Sequence, residues 1–210
     1  GASGSTILNS KTGSISTITV TGGTTTFAGV IKDSADGLGG QVALTLNSTG
    51  TLTLSGTNTY TGTTTISAGT LKTTGTLSSL SNIVMTGAGI WDLQAAQTIP
   101  TLTMGSSNSI TASAGTSSLI VSGAATIGNS IKTTGVQTYN GAVTLISNTS
   151  LSSTSDGNIT FNSTVDSQSA SAPSNLSVAI TNPNKTYYWV NWTTVDNTNH
   201  TVTGTINVGG

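Results

Sequence analysis

The chain has 210 residues, a net charge of −1, only 5% charged side chains, 34% hydrophobic residues and no cysteine. Five Lys and no Arg leave no electrostatic footprint for nucleic acid or an anionic membrane surface, and the lack of Cys removes disulfides, thiol catalysis and Cys-ligated zinc. Ser, Thr and Gly make up nearly half of the chain, yet Thr, Val and Ile recur in phase, which predicts an ordered, elongated β fold in place of a disordered tail.

The chain opens Gly1-Ala2-Ser3-Gly4 without an initiator Met, a charged n-region or an apolar h-region, which predicts an internal fragment. No apolar run approaches the roughly 18 residues of a membrane span, so a soluble segment without membrane insertion is expected. Short β-patterned runs follow in order: Ile15 to Val20, Thr24 to Ile31, Val42 to Leu46, Thr51 to Leu54, Thr63 to Ile66, Ile83 to Met85, Leu102 to Met104, Leu119 to Val121, Ala124 to Ile127, Val143 to Ile146 and Ile159 to Val165. Gly, Ser, Thr and Asn punctuate them, and no window carries a helical i, i+3, i+4, i+7 stripe. Ile131-Lys132-Thr133-Thr134-Gly135 echoes Leu71-Lys72-Thr73-Thr74-Gly75, the mark of an internal repeat.

Only Asn140-Gly141 and Asp156-Gly157 offer the two-residue turns of hairpins, too few for a sandwich. In a β-helix each coil adds a strand about 4.8 Å along the axis, and small residues stack at its corners. Thr suits the flat sides, packing its methyl on the sheet while its hydroxyl faces water or a like residue one coil away. A single parallel β-helix of roughly six to nine coils is therefore expected over residues 12 to 166, with Leu52, Leu54, Ile66, Val143 and Leu145 inward.

The stretch from Gly50 to Leu71, GTLTLSGTNTYTGTTTISAGTL, together with Phe27-Ala28-Gly29-Val30-Ile31 and Val42 to Leu46 before it, resembles the strand repeat of autotransporter passenger domains. Thr134 to Leu145 with Gly157 to Asp166 resembles the repeat of filamentous-haemagglutinin-type adhesins, which are secreted by a two-partner route. Both resemblances imply an all-β, right-handed parallel β-helix on an extracellular or bacterial cell-surface protein, outer-membrane-attached or secreted. Neither brings a catalytic residue or a cofactor.

Residues 1–166 are read as the solenoid and 167–174 as a linker. Residues 175–210 are read as a small C-terminal antiparallel β meander that caps the coil or begins another domain. In that last part Leu176, Val178, Ile180, Tyr188, Val190, Trp192, Val202, Ile206 and Val208 share one face, and solenoid ends must be covered.

Candidate chemistry is sparse. His200, the only His, lies in a polar turn and reads as a solvated side chain. Asp33 and Asp36 beside Gly37, Gly39 and Gly40 could gather oxygens for Ca²⁺, though a plain loop suits them better. Asp156 and Asp166 have nothing between them to make an acid–base pair. Trp91 reads as a core or edge residue. Tyr187 and Trp189, opposite the apolar face, are candidates for stacking on sugar rings. Asn-x-Ser/Thr sequons at Asn47, Asn148, Asn158, Asn162, Asn175, Asn184, Asn191 and Asn199 are candidate glycosylation sites.

The resulting expectation is a non-enzymatic stalk or adhesin segment without cofactor or metal. Its partners would be glycans or proteins of host or neighbouring cells, with end-to-end self-association as a further contact. A self-assembling filament or surface-layer subunit is the first alternative. An ice-binding β-helix is the second, suggested by Thr-x-Thr pairs at Thr17/Thr19, Thr24/Thr26, Thr51/Thr53, Thr63/Thr65 and Thr101/Thr103, whose irregular spacing argues against a common face.

Overall fold

The computed structural model describes residues 1–34, 39–169, 174–181, 194–196 and 201–206. The strands wind into one parallel coil with three sides. On the first side successive rungs begin at Ile15, Gln41, Thr64, Ile83, Leu102, Ala125, Val143 and Val165, eight in all. The second side stacks Thr25–Phe27 under Leu52, then Leu71, Trp91, Ile110, Ile131, Leu151 and Val178 in one inward file. The third side runs from Thr6–Leu8 and Val30–Lys32, through Thr57 beside Thr76, to Gln97–Ile99, Leu119–Val121, Gln137–Tyr139 and the first three residues of Ile159–Ser167.

The alternation that wrote the strands also writes the core. Leu52, Leu54, Ile66, Val143 and Leu145 are all buried, as the period-2 pattern predicts. Trp91 is fully buried in the middle of the second side, and its indole N–H donates to the Thr73 hydroxyl at 3.1 Å. Tyr139 stacks on Phe161 one coil above, centroids 5.2 Å apart. The two Lys-Thr-Thr-Gly segments occupy the same place, three rungs apart in the file from Leu71 to Ile131.

What the hydrophobic pattern leaves out is part of the second and third sides: Ile90–Leu93, Ser109–Thr111 and Thr149–Ser153 on one, Gln97–Ile99 and Gln137–Tyr139 on the other. Within the polar stretch between Gly56 and Gly62, Asn58 and Tyr60 point inward and are buried. Thr24 to Ile31 reads as one run, yet it is two strands, Thr25–Phe27 and Val30–Lys32, turned at Gly29. A Cβ on Gly29 would strike the Ser5 carbonyl oxygen, so only glycine fits that corner. The bend between the first and second sides inside Thr64–Thr73 falls at Gly69, whose φ of +77° lies in the left-handed region.

Buried amides hold the corners. Asn58 accepts from the Ile31 N–H at 2.9 Å and donates to the carbonyls of Gly56 and Thr76. Asn108 accepts from the Gly105 N–H at 2.8 Å and donates to the carbonyls of Thr86 and Gly89, both at 3.0 Å. Each such amide satisfies backbone groups that a three-residue strand leaves over at its ends. Asn108→Ala should cost about 1–3 kcal/mol for each buried group left unpaired. A denaturant midpoint lowered at unchanged m-value checks this.

Parallel pairing continues past residue 166. Leu176–Ile180, expected in an antiparallel meander, lies parallel on Thr149–Ser153 as a further rung of the second side. The reason is that Leu176, Val178 and Ile180 alternate as either arrangement requires. The stretch expected as a linker is in its described part a corner of that coil, closed by Ser174 N–H donating to the Ser167 hydroxyl at 2.8 Å. Antiparallel pairing begins later: Thr201–Ile206 runs antiparallel on Ile159–Ser167 and pairs with Thr194–Asp196 on its other edge. The remaining residues of the expected apolar face, Tyr188, Val190, Trp192 and Val208, lie outside the described residues.

Two interior tyrosines make the coil sensitive to alkali. Burial pushes the Tyr60 hydroxyl from 10.0 up to about 12, only partly offset by hydrogen bonds from Thr64 and Ser81. Burial alone raises Tyr139 still further. The unfolded chain therefore loses these protons near pH 10 while the folded chain keeps them, so stability is full below pH 10 and falls as pH rises through the window up to about 12. For Tyr60 alone the loss across that window is on the order of 2 to 3 kcal/mol. Thermal melts between pH 9 and pH 12 should show the drop, and a shallower one in Tyr60→Phe.

Candidate functional site

The titratable groups singled out in the sequence do not converge. Both oxygens of Asp33 serve a corner, accepting from the Val42 N–H at 2.8 Å and from the N–H and hydroxyl of Thr61, the latter at 2.6 Å. That carboxylate joins two coils, and Asp36 lies outside the described residues. Asp156 sits at a corner with φ +66°, whereas Asp166 lies on the first side beside Thr144. His200, Tyr187 and Trp189 lie outside the described residues, as do Asn184, Asn191 and Asn199. Among the described residues no three His, Cys, Asp or Glu side chains gather as a metal site.

One polar cluster escapes the sequence altogether. Asp92, nearly buried on the second side, accepts from the Ser113 N–H at 2.9 Å, the Ser113 hydroxyl at 2.6 Å and the Gln94 amide at 2.9 Å. Ser113 is one coil further on, so only the register brings them together. An apolar cavity of ≈180 Å³ opens at the first coil between Ile18, Phe27, Leu44 and Leu54, part of the interior and without convergent polar groups.

The five described sequon residues, Asn47, Asn148, Asn158, Asn162 and Asn175, are all exposed. Asn148 and Asn175 stack at one corner, where the Asn148 side chain accepts from the Asn175 N–H at 2.9 Å. Asn162 donates its amide to Asn140 at 2.7 Å.

The outward surface of the first side is the most regular feature. One file runs Thr19, Thr45, Thr65, Val84, Thr103, Thr126 and Thr144 in direct register. Two residues earlier on each rung stand Thr17, Ala43, Thr63, Asn82, Thr101, Ala124 and Ala142. The uneven spacing of Thr-x-Thr pairs in the sequence still leaves three of the five pairs on one face. Coils vary from 26 residues, Ile15 to Gln41, down to 18, Ala125 to Val143, but the corners absorb the difference and the flat side keeps its register. Thr17/Thr19, Thr63/Thr65 and Thr101/Thr103 share this face. Thr24/Thr26 and Thr51/Thr53 lie on the second side, where the file through Thr26 and Thr53 passes to Lys72 and Asp92.

Residues 44–72, which supply one whole coil from Leu44 to its partner Thr64 and the second-side rung beyond, match the family model described as passenger-associated-transport-repeat. The chain carries an autotransporter passenger repeat. Such a repeat belongs to β-helices that are secreted or surface-exposed. Within it Leu44, Leu46, Leu52, Leu54, Tyr60, Ile66 and Leu71 are its buried apolar positions, so the passenger repeat is a packing motif of the coil. Neither the curated proteins nor the solved structures include a match to the chain.

Proposed function

We propose that this autotransporter passenger segment is a non-catalytic stalk and adhesin surface, working by length and by the side chains along a stiff coil. The observation that carries the reading is the uninterrupted stack of eight first-side rungs, with neutral polar residues on most outward positions. Stacked coils place equivalent side chains about 4.8 Å apart, where like charges would repel and Thr, Ser and Asn would not. At that rise eight rungs span roughly 40 Å, and each added coil lengthens the rod in proportion. The Asp33 carboxylate also supports it, because its acceptor capacity is spent on corner hydrogen bonds.

The partners that fit are glycans and proteins of other cells, contacted along a rod. Cells displaying the chain on a heterologous membrane barrel should adhere to epithelial or bacterial cell layers more than cells displaying the barrel alone. Equal adherence of the two would sink the adhesin reading. Hydrolysis of any polysaccharide by the purified chain, abolished in Asp92→Asn, would sink the non-catalytic one. In a glycosylating source, intact mass spectrometry should find hexose-mass increments mapped to Asn47, Asn148, Asn158, Asn162 or Asn175, since all five are exposed.

A further inference from the structure

We propose that the outward surface of the first side is an ice-binding face. Seven rungs, from Thr19 to Thr144, present two files of outward residues, and the fourteen positions hold nine Thr, three Ala, one Asn and one Val. The Thr19 to Thr144 file is paired in continuous register, and the other file follows it through the carbonyls of Thr63, Asn82, Thr101, Ala124 and Ala142, each accepting from an N–H of the rung before it. Along the axis the files repeat about every 4.8 Å, and across each rung the two positions stand about 6.6 Å apart. Both spacings are close to lattice repeats of hexagonal ice. Each Thr presents a methyl, beside which water orders, and a hydroxyl that takes a place in the ordered layer.

The hydroxyls of Thr17, Thr19, Thr45, Thr63, Thr65, Thr103, Thr126 and Thr144 make no hydrogen bond to the protein among the described residues. Thr101 is the exception, donating to Asn82 at 2.8 Å. No charge stands on the fourteen positions, the charge on this file being Asp166 on the eighth rung beside Thr144, and no aromatic stands there to stack on a sugar. The large aromatics Tyr60, Trp91 and Tyr139 are all inside. The second side differs, with Lys72, Asp92 and Thr111 in one file and the Thr111 hydroxyl near Asp92. A periodic, uncharged grid of methyls and hydroxyls matches a periodic, uncharged lattice of water. The rung carrying Asn82 and Val84 is the defect in that grid.

The test grows ice slowly from a solution of the full chain and measures the fraction of protein taken into the ice, with crystal shaping by nanolitre osmometry as the second readout. Wild type should enter the ice several-fold more than a non-binding reference protein, and Thr103→Lys should fall to the reference level. Val84→Thr, which completes the file, should raise uptake, while Thr138→Lys on the third side should leave it unchanged. Far-UV circular dichroism identical to wild type keeps each variant interpretable. Exclusion of the folded wild type from ice overturns the proposal. So does uptake that survives Thr103→Lys, or retention on crystalline cellulose powder in place of ice.

Discussion

Ile110→Asp should unfold the middle coils of the solenoid. Ile110 is fully buried between Trp91 below and Ile131 above, on the inward file of the second side. No cation lies in that file to pair with a carboxylate, and a buried unpaired charge costs several kcal/mol even after it takes up a proton. Because each coil rests only on its neighbours, loss of one central rung removes support from both. The expected result is loss of the β signal in far-UV circular dichroism at neutral pH, with rapid proteolysis between the corners flanking Ser109–Thr111. Ile110→Val, which removes a single methylene, should cost only about 0.5–1.5 kcal/mol and keep the fold.

Trp91→Ala should destabilise by about 3–5 kcal/mol. Among the described residues the indole is the largest fully buried side chain, and its removal opens a cavity that the neighbouring rungs, fixed by their own backbone ladders, cannot close. It also strands the Thr73 hydroxyl, which accepts the indole N–H. Trp91→Phe keeps most of the volume and loses the donor, so the difference between the two variants separates packing from the hydrogen bond. Guanidinium unfolding followed by far-UV circular dichroism gives both numbers on one scale.

The inward positions were legible in the chain because period 2 needs only neighbours in sequence. Leu52, Leu54, Ile66, Val143 and Leu145 alternate with Thr, and all five are buried. The third side was legible only in part: Leu119–Val121 and the start of Ile159–Ser167 read as β runs, whereas Gln97–Ile99 and Gln137–Tyr139 did not, because they begin on buried polar residues. Gln97 faces inward to accept from the Leu77 N–H and to donate to the Gly75 carbonyl. Gln137 does the same work for Tyr139 and the Ser152 carbonyl. A hydropathy pattern scores such residues as loop, although their amides are satisfied by coils above and below.

The candidate surface was half legible. The Thr-x-Thr pairs are plain in the chain, but their register depends on how many residues each corner holds. The corner beside Gly115, where a Cβ would strike the Gln94 carbonyl oxygen, and the tighter ones after Ile127 follow different rules. Summed over six coils, those differences hide a straight file behind an irregular spacing. The Asp92 and Ser113 pairing was hidden for the same reason, twenty-one residues apart and adjacent only through the stack.

Distances between nitroxide labels along the first-side file test the parallel coil most directly. With one label at Thr19 and the second at Thr65, Thr103 or Thr144, the pairs are two, four and six rungs apart. Electron–electron double resonance should give distances rising linearly, about 10, 19 and 29 Å, at a constant increment per rung. A pair distance from Thr19 to Thr144 equal to or shorter than that from Thr19 to Thr65 would contradict the coil.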